Sequence, residues 1–69
     1  MSLPKATIKR IMKEVDDMLI SEDALNQVVV ETTTFIKRLT EESLKNAKES
    51  KRKTIKPDDV TKAVTNFEI

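Results

Sequence analysis

About 30 consecutive residues, Ser21 to Ser50, contain neither glycine nor proline. Within them Leu25, Val28, Val29, Thr32, Phe35, Ile36, Leu39, Ser43, Leu44 and Ala47 recur at the three-and-four spacing of one helix face. At 1.5 Å per residue an unbroken helix of this length is roughly 40 Å long. The rest of the chain is too short to wrap such a rod, so its apolar stripe needs a partner. One local signal opposes the helix: the run Val28-Val29-Val30-Glu31-Thr32-Thr33-Thr34 is rich in β-branched residues and resembles a strand. The helical period continues on both sides of that run without a turn residue. β-Branching costs only a few tenths of a kcal/mol per residue in a helix, which buried packing overrides.

Composition narrows the ways such a rod can be stabilised. With 69 residues, a single domain spanning residues 1–69 is the ceiling. A monomer of this size is marginal without a disulfide, a metal or an oligomeric partner. The chain has no Cys and no His, which removes disulfides, thiolate sites and the commonest metal ligand and general base. Oligomerisation is the route left. No run is apolar enough to span a bilayer and no signal peptide precedes residue 20, so a soluble protein of the cytoplasm with no membrane contact is expected.

The flanks read as two shorter helices. Pro4 fits a first helical turn, and Ile8, Ile11, Met12 and Val15 follow at amphipathic spacing. Lys5, Lys9 and Lys13 share another face, with Arg10 beside them. That face is either simply solvated or contacts phosphate. Met18-Leu19-Ile20 forms an extended link, and Ser21 reads as the N-cap of the long helix, with Glu22 and Asp23 in its first turn. After the long helix, Lys51-Arg52-Lys53-Thr54-Ile55 forms a second link. Lys56-Pro57 opens the last helix, whose stripe is Val60, Ala63, Val64 and Phe67. The expected class is all-α: short helix, link, long helix, link, short helix.

A formal net charge of +1 hides a segregation. Residues 21–44 carry Lys37 and Arg38 against Glu22, Asp23, Glu31, Glu41 and Glu42, a net of −3. Residues 45–56 carry Lys45, Lys48, Lys51, Arg52, Lys53 and Lys56 against Glu49 alone, a net of +5. Discrete cationic points on a nearly neutral chain suit a bound polyanion.

Catalysis finds little support. Without His or Cys no standard activated triad exists. Adjacent acids such as Glu41-Glu42 and Asp58-Asp59 diverge around a helix and read as solvated or as dipole partners. No glycine-rich loop cradles a nucleotide, no carboxylate spacing suits a metal, and no cofactor or small-molecule substrate is implied. The junction Lys51-Arg52-Lys53-Thr54 is the best binding candidate. It offers guanidinium, ammonium, hydroxyl and backbone N–H donors, a mix that suits phosphate oxygens on a duplex. Phe35 and Phe67 lie on apolar stripes and belong to a core, not to a base-stacking platform.

The segment Arg52-Lys53-Thr54-Ile55-Lys56-Pro57-Asp58-Asp59-Val60 resembles the second loop and third-helix start of the histone fold. Leu3-Pro4 with Ile8-Lys9-Arg10-Ile11-Met12-Lys13 resembles the first helix of archaeal histones. The resemblance covers the whole chain. It implies a handshake homodimer with crossed long helices, a dimer core containing Leu25, Val28, Val29, Thr32, Phe35, Ile36, Leu39 and Val64, and heterodimers with other histones as a further possibility. It implies an intrachain ion pair between Arg52 and Asp59, which makes Arg52 structural before it is DNA-contacting. It also implies a nucleoid-associated protein that binds double-stranded DNA without sequence preference. Lys9, Arg10 and Lys13 would serve at the middle of the dimer and Lys53 and Thr54 at its ends, with Lys56 a further DNA-binding candidate.

The chain departs from that family in three places. Leu19 stands where an arginine usually enters the minor groove, and Asp16 stands where a glycine usually lets superhelical turns stack. At the positions that join dimers end to end stand Asn46, Glu49, Asp59 and Lys62. Glu49 would face a neighbour's Asp59, an unfavourable pairing of like charges that Lys45 or Lys62 would relieve by rotating in. The expectation is a DNA-bending or chromatin-compacting dimer that joins other dimers weakly. The alternative is a histone-fold pairing module with little DNA binding, supported by the low net charge and the three departures.

Overall fold

The computed structural model describes residues 3–67, and the outermost residues of the expected 1–69 domain lie outside them. Three helices follow in order: α1, Lys5–Val15; α2, Glu22–Glu49; and α3, Pro57–Phe67. Among the described residues there is no strand. The β-branched run 28–34 is helical throughout, and the Thr33 hydroxyl donates to the Val29 carbonyl at 2.8 Å. This back-bond gives a part-buried hydroxyl a partner without leaving the helix. The chain divides into two compact units, Met1–Thr34 and Phe35–Ile69, with α2 contributing to each.

In the first unit α1 begins one residue later than the sequence suggests. Pro4 (φ −63°, ψ 114°) is the N-cap rather than the first helical residue, because its extended ψ keeps it outside the helix. The Pro4 carbonyl still accepts the Ile8 N–H at 3.2 Å. α1 ends at Val15, and Asp16 (φ −161°, ψ 138°) carries the chain away in extended form. The Ser21 hydroxyl accepts the Ala24 N–H at 3.0 Å and so caps α2. Leu25 and Val29, one turn apart on α2, are buried. Ile11 and Val15, although part of the apolar stripe of α1, remain 49% and 89% exposed, and Val15 is the last residue of α1, after which the chain leaves in extended form.

The second unit packs α3 on the C-terminal half of α2. Ser43 and Ala47 of α2 and Ala63 of α3 are all but inaccessible. Small side chains let the helices approach closely, in keeping with the dense packing of protein interiors. The Asn46 Nδ2 donates to the Asp59 carbonyl at 3.0 Å and ties the two helices together. Near the end of α3 the rings of Phe35 and Phe67 meet edge to face with centroids 5.9 Å apart, and the Arg38 guanidinium lies 5.1 Å from the Phe67 centroid. Both are favourable aromatic geometries.

α2 closes without glycine. The Arg52 N–H donates to the Ala47 carbonyl at 3.0 Å and the Lys51 N–H to the Lys48 carbonyl at 2.9 Å. This is the paired pattern of a Schellman cap. The residue it drives into the left-handed region is Lys51, at φ 59°.

Of the expected dimer-core residues, only Leu25 and Val29 are buried within one chain. Val28, Thr32 and Leu39 are half-buried, while Phe35, Ile36 and Val64 remain exposed, as do Val30 and Leu44. A single copy therefore leaves much of its α2 stripe uncovered.

Candidate nucleic-acid interface

The candidate interface is most firmly built at the second link, and Arg52 is its organiser. The Arg52 Nη1 donates to the Thr54 carbonyl at 2.8 Å and to the Asp59 Oδ2 at 2.9 Å, and Nη2 donates to the Asp59 Oδ1 at 2.8 Å. The Asp59 Oδ2 also accepts the Lys56 N–H at 2.8 Å. Asp59 lies in the first turn of α3, so its carboxylate satisfies an N–H that the helix start leaves without a partner. The two-pronged guanidinium–carboxylate contact is the strongest kind of side-chain hydrogen bonding. The Arg52 hydrogen bonds, helped by the Lys56 N–H, pull the pKa of the Asp59 carboxyl down to about 2. The same contact with Asp59 raises the Arg52 guanidinium above its ordinary value.

This clasp engages both terminal nitrogens of Arg52 and both carboxylate oxygens of Asp59 and leaves their neighbours outward. Lys51, Lys53, Thr54 and Lys56 are exposed. Lys53 and Thr54 sit in the bend that the Arg52–Thr54 contact holds. An ammonium and a hydroxyl side by side on an ordered turn are suited to phosphate oxygens.

The cations of α1 are differently placed. Lys5 lies 3.5 Å from Glu22, Arg10 3.9 Å from Glu14, and Lys13 3.6 Å from Asp17. Among the described residues Lys9 makes no ion pair and is exposed. Exposed pairs of this kind are worth about 0–1 kcal/mol each, so a phosphate competes with them easily.

The residues expected to join dimers fall into two kinds. Asn46 and Asp59 are buried within the second unit, at 7% and 4% exposure, and both are engaged there. They therefore present little surface to a neighbour, a difference from the expected interface. Glu49 and Lys62 are exposed and lie 3.9 Å apart within the chain. Glu49 thus already has a cation beside it. The sequence pointed to Lys45 or Lys62 as the cation that would rotate in to relieve Glu49, and Lys62 is the one beside it, but the sequence had no signal for the Asn46–Asp59 bond between helices. The Lys56 N–H bond was accessible in principle, from an acid three residues beyond the residue that precedes a helix-opening proline.

Among the described residues no group of acids could hold a metal ion, and no helix is long and apolar enough to cross a membrane.

Comparison with known proteins points in one direction. The sequence profile of the family described as histone-like transcription factor (CBF/NF-Y) and archaeal histone matches residues 1–64. The DNA-binding protein HmvA of Methanocaldococcus jannaschii is 45% identical over 58 residues, 84% of this chain and 60% of that protein. A subunit of nuclear transcription factor Y from Arabidopsis thaliana is 39% identical over 69 residues, 99% of this chain and 32% of that protein. A DNA polymerase epsilon subunit of Yarrowia lipolytica is 35% identical over 68 residues, 96% of this chain and 42% of that protein. The chain thus spans at most 60% of the length of these three relatives.

Proposed function

This chain belongs to the family of histone-like transcription factors (CBF/NF-Y) and archaeal histones, and from that premise we propose that it is an archaeal-type histone. Two copies pair through the uncovered stripe of α2, with Phe35 and Ile36 of α2 and Val64 of α3 among the exposed apolar side chains that pairing covers. Burying them returns roughly 25 cal/mol per Å² of apolar surface. The pair binds duplex DNA through phosphate contacts, without reading bases, and bends or compacts it in the chromosome.

The observation that carries this reading is the Arg52–Asp59 clasp, which presents Lys53 and Thr54 outward on a fixed turn. Lys9, Arg10, Lys13 and Lys56 supply the remaining cations. The likeness to a protein named as DNA-binding in M. jannaschii supports the same conclusion. The test is a gel-shift series across salt concentrations. Each phosphate contact contributes about 0.9 to the slope of log K against log salt. A Lys53→Glu homodimer loses two such contacts, so its slope falls by about 2 and retardation at moderate salt disappears. Unchanged retardation would reject DNA binding through this link.

The second reading is a histone-fold protein whose main work is pairing with another histone-fold chain. The low net charge of +1 favours it, as does the likeness to components of a transcription factor and a polymerase. Under that reading Lys53→Glu changes nothing.

Dimers of this chain associate weakly with one another. Support comes from the burial of Asn46 and Asp59 and from the local pairing of Glu49 with Lys62. Chemical cross-linking on DNA should stop at the dimer, and a ladder of tetramers and longer species would refute weak association.

A further inference from the structure

One lysine of the second link occupies a place that works against the fold. Lys51 closes α2 at a φ of 59°. Glycine is the usual residue at this point of a Schellman cap, because a Cβ there presses on the neighbouring carbonyl. Asparagine, the next most tolerant residue, would also lower the cost. The chain carries a long cationic side chain instead, and nothing it touches within the protein explains that choice. Lys51 is exposed, and among the described residues its ammonium enters no ion pair. The end of α2 does not depend on it for charge, since Lys48 already stands in the last turn against the negative helix terminus. A strained residue that brings no contact of its own points to a role outside the fold.

We propose that Lys51 is a further DNA-contacting residue, a second ammonium in each link that meets a backbone phosphate beside the one taken by Lys53. The inference rests on the reading of this link as a duplex-binding site. Its setting suits the task. The Lys51 and Arg52 N–H groups are bonded to the Lys48 and Ala47 carbonyls, so the backbone that carries the side chain is fixed. Arg52, between Lys51 and Lys53, spends its guanidinium on Thr54 and Asp59. Two exposed ammoniums thus flank one cation that is already engaged, and like charges held this close repel each other until a polyanion lies across them. Stability and binding then pull in opposite directions at a single residue. Glycine would relax the turn and lose the contact, and lysine keeps the contact and leaves the turn strained.

The test measures binding of the full chain to a labelled duplex of random sequence across a salt series, beside thermal melts and solution mass. Lys51→Gln removes the charge and keeps the Cβ. Two copies lose one contact each, so the slope of log K against log salt should fall by about 2 and affinity at about 50 mM salt by about tenfold. Lys51→Arg, which keeps the charge, should bind within about twofold of the parent. Lys51→Gly should bind as weakly as Lys51→Gln while melting higher than the parent. Lys37→Gln removes the same formal charge from the middle of α2 and should leave the slope unchanged. Parent-like binding by Lys51→Gln would overturn the proposal. An equal loss in Lys37→Gln would also overturn it, by tracing the effect to net charge. A lower melt for Lys51→Gln would assign the lysine to the end of α2 instead. Lys53→Glu separates this inference from the reading beneath it. If Lys53→Glu abolishes retardation and Lys51→Gln does not weaken it, only the role of Lys51 fails. If Lys53→Glu binds as the parent does, both fail.

Discussion

Replacing Lys51 by glycine should make the protein more stable, although it removes a side chain and adds none. Lys51 is the residue at which α2 is closed, and its φ of 59° lies where an L-residue brings its Cβ against the neighbouring carbonyl. That conformation costs roughly 1–2 kcal/mol for a residue with a Cβ and nothing for glycine. Glycine returns part of the gain, roughly 0.5–1 kcal/mol, because it is freer in the unfolded chain. The net is about 0.5–1 kcal/mol of added stability per chain. With an unfolding entropy near 2.1 cal/mol/K per residue, the midpoint of a thermal melt followed by circular dichroism should rise by about 3–7 °C. Pairing of two copies doubles both quantities and leaves the shift unchanged. Lys51→Ala is the control, since it removes the same charge and keeps the Cβ. If Lys51→Ala raises the melt as much as Lys51→Gly, the gain is relief of repulsion among Lys48, Lys51 and Lys53, and the backbone explanation fails. A lower midpoint for Lys51→Gly would refute it outright.

Two further outcomes follow from the second unit. The pKa of the Asp59 carboxyl is held at about 2 against an ordinary 3.8, so the folded chain binds fewer protons than the unfolded chain between those values. The stability this contributes is fully present above the ordinary value and is lost as pH falls toward 2. Melts recorded from pH 7 to pH 2 should show a steeper decline over that window for the parent than for Asp59→Asn, which starts lower and has no such group to protonate. Parallel declines would remove Asp59 as the cause. At the helix crossing, Ala63→Leu forces extra methylenes into a site with no accessible surface and should destabilise by about 1–3 kcal/mol, read from denaturant titration. An unchanged midpoint would mean that α3 does not seat against α2 as described.

The helices were legible because their signals are local and redundant. Ser21 followed by Glu22 and Asp23, Pro57 at a helix start, and three-and-four apolar spacing each point to the same elements. The β-branched run was the one contrary signal, and the period through Leu25, Val28, Val29 and Thr32 outweighed it. Two kinds of information were not there to read. End effects were one: Pro4 falls just outside α1, and Val15 ends exposed, since a periodic stripe does not say where a helix stops being covered. Long-range polar contacts were the other. Asn46 and Asp59 are 13 residues apart, and the bond between the side chain of one and the carbonyl of the other depends on how α3 lies on α2, which no short pattern encodes. Arg52 and Asp59 came from the likeness to a known loop, because neither periodicity nor charge tells which of the nearby cations a buried carboxylate will take.

The clasp in the second link also has a kinetic and entropic side. A turn held by Thr54, Asp59 and the Lys56 N–H has already surrendered its backbone freedom during folding. On meeting a polyanion, Lys53 and Thr54 have only side-chain motion left to lose. Contact can therefore form and break without a slow rearrangement of the loop, in keeping with the sequence-independent phosphate contacts proposed for this link.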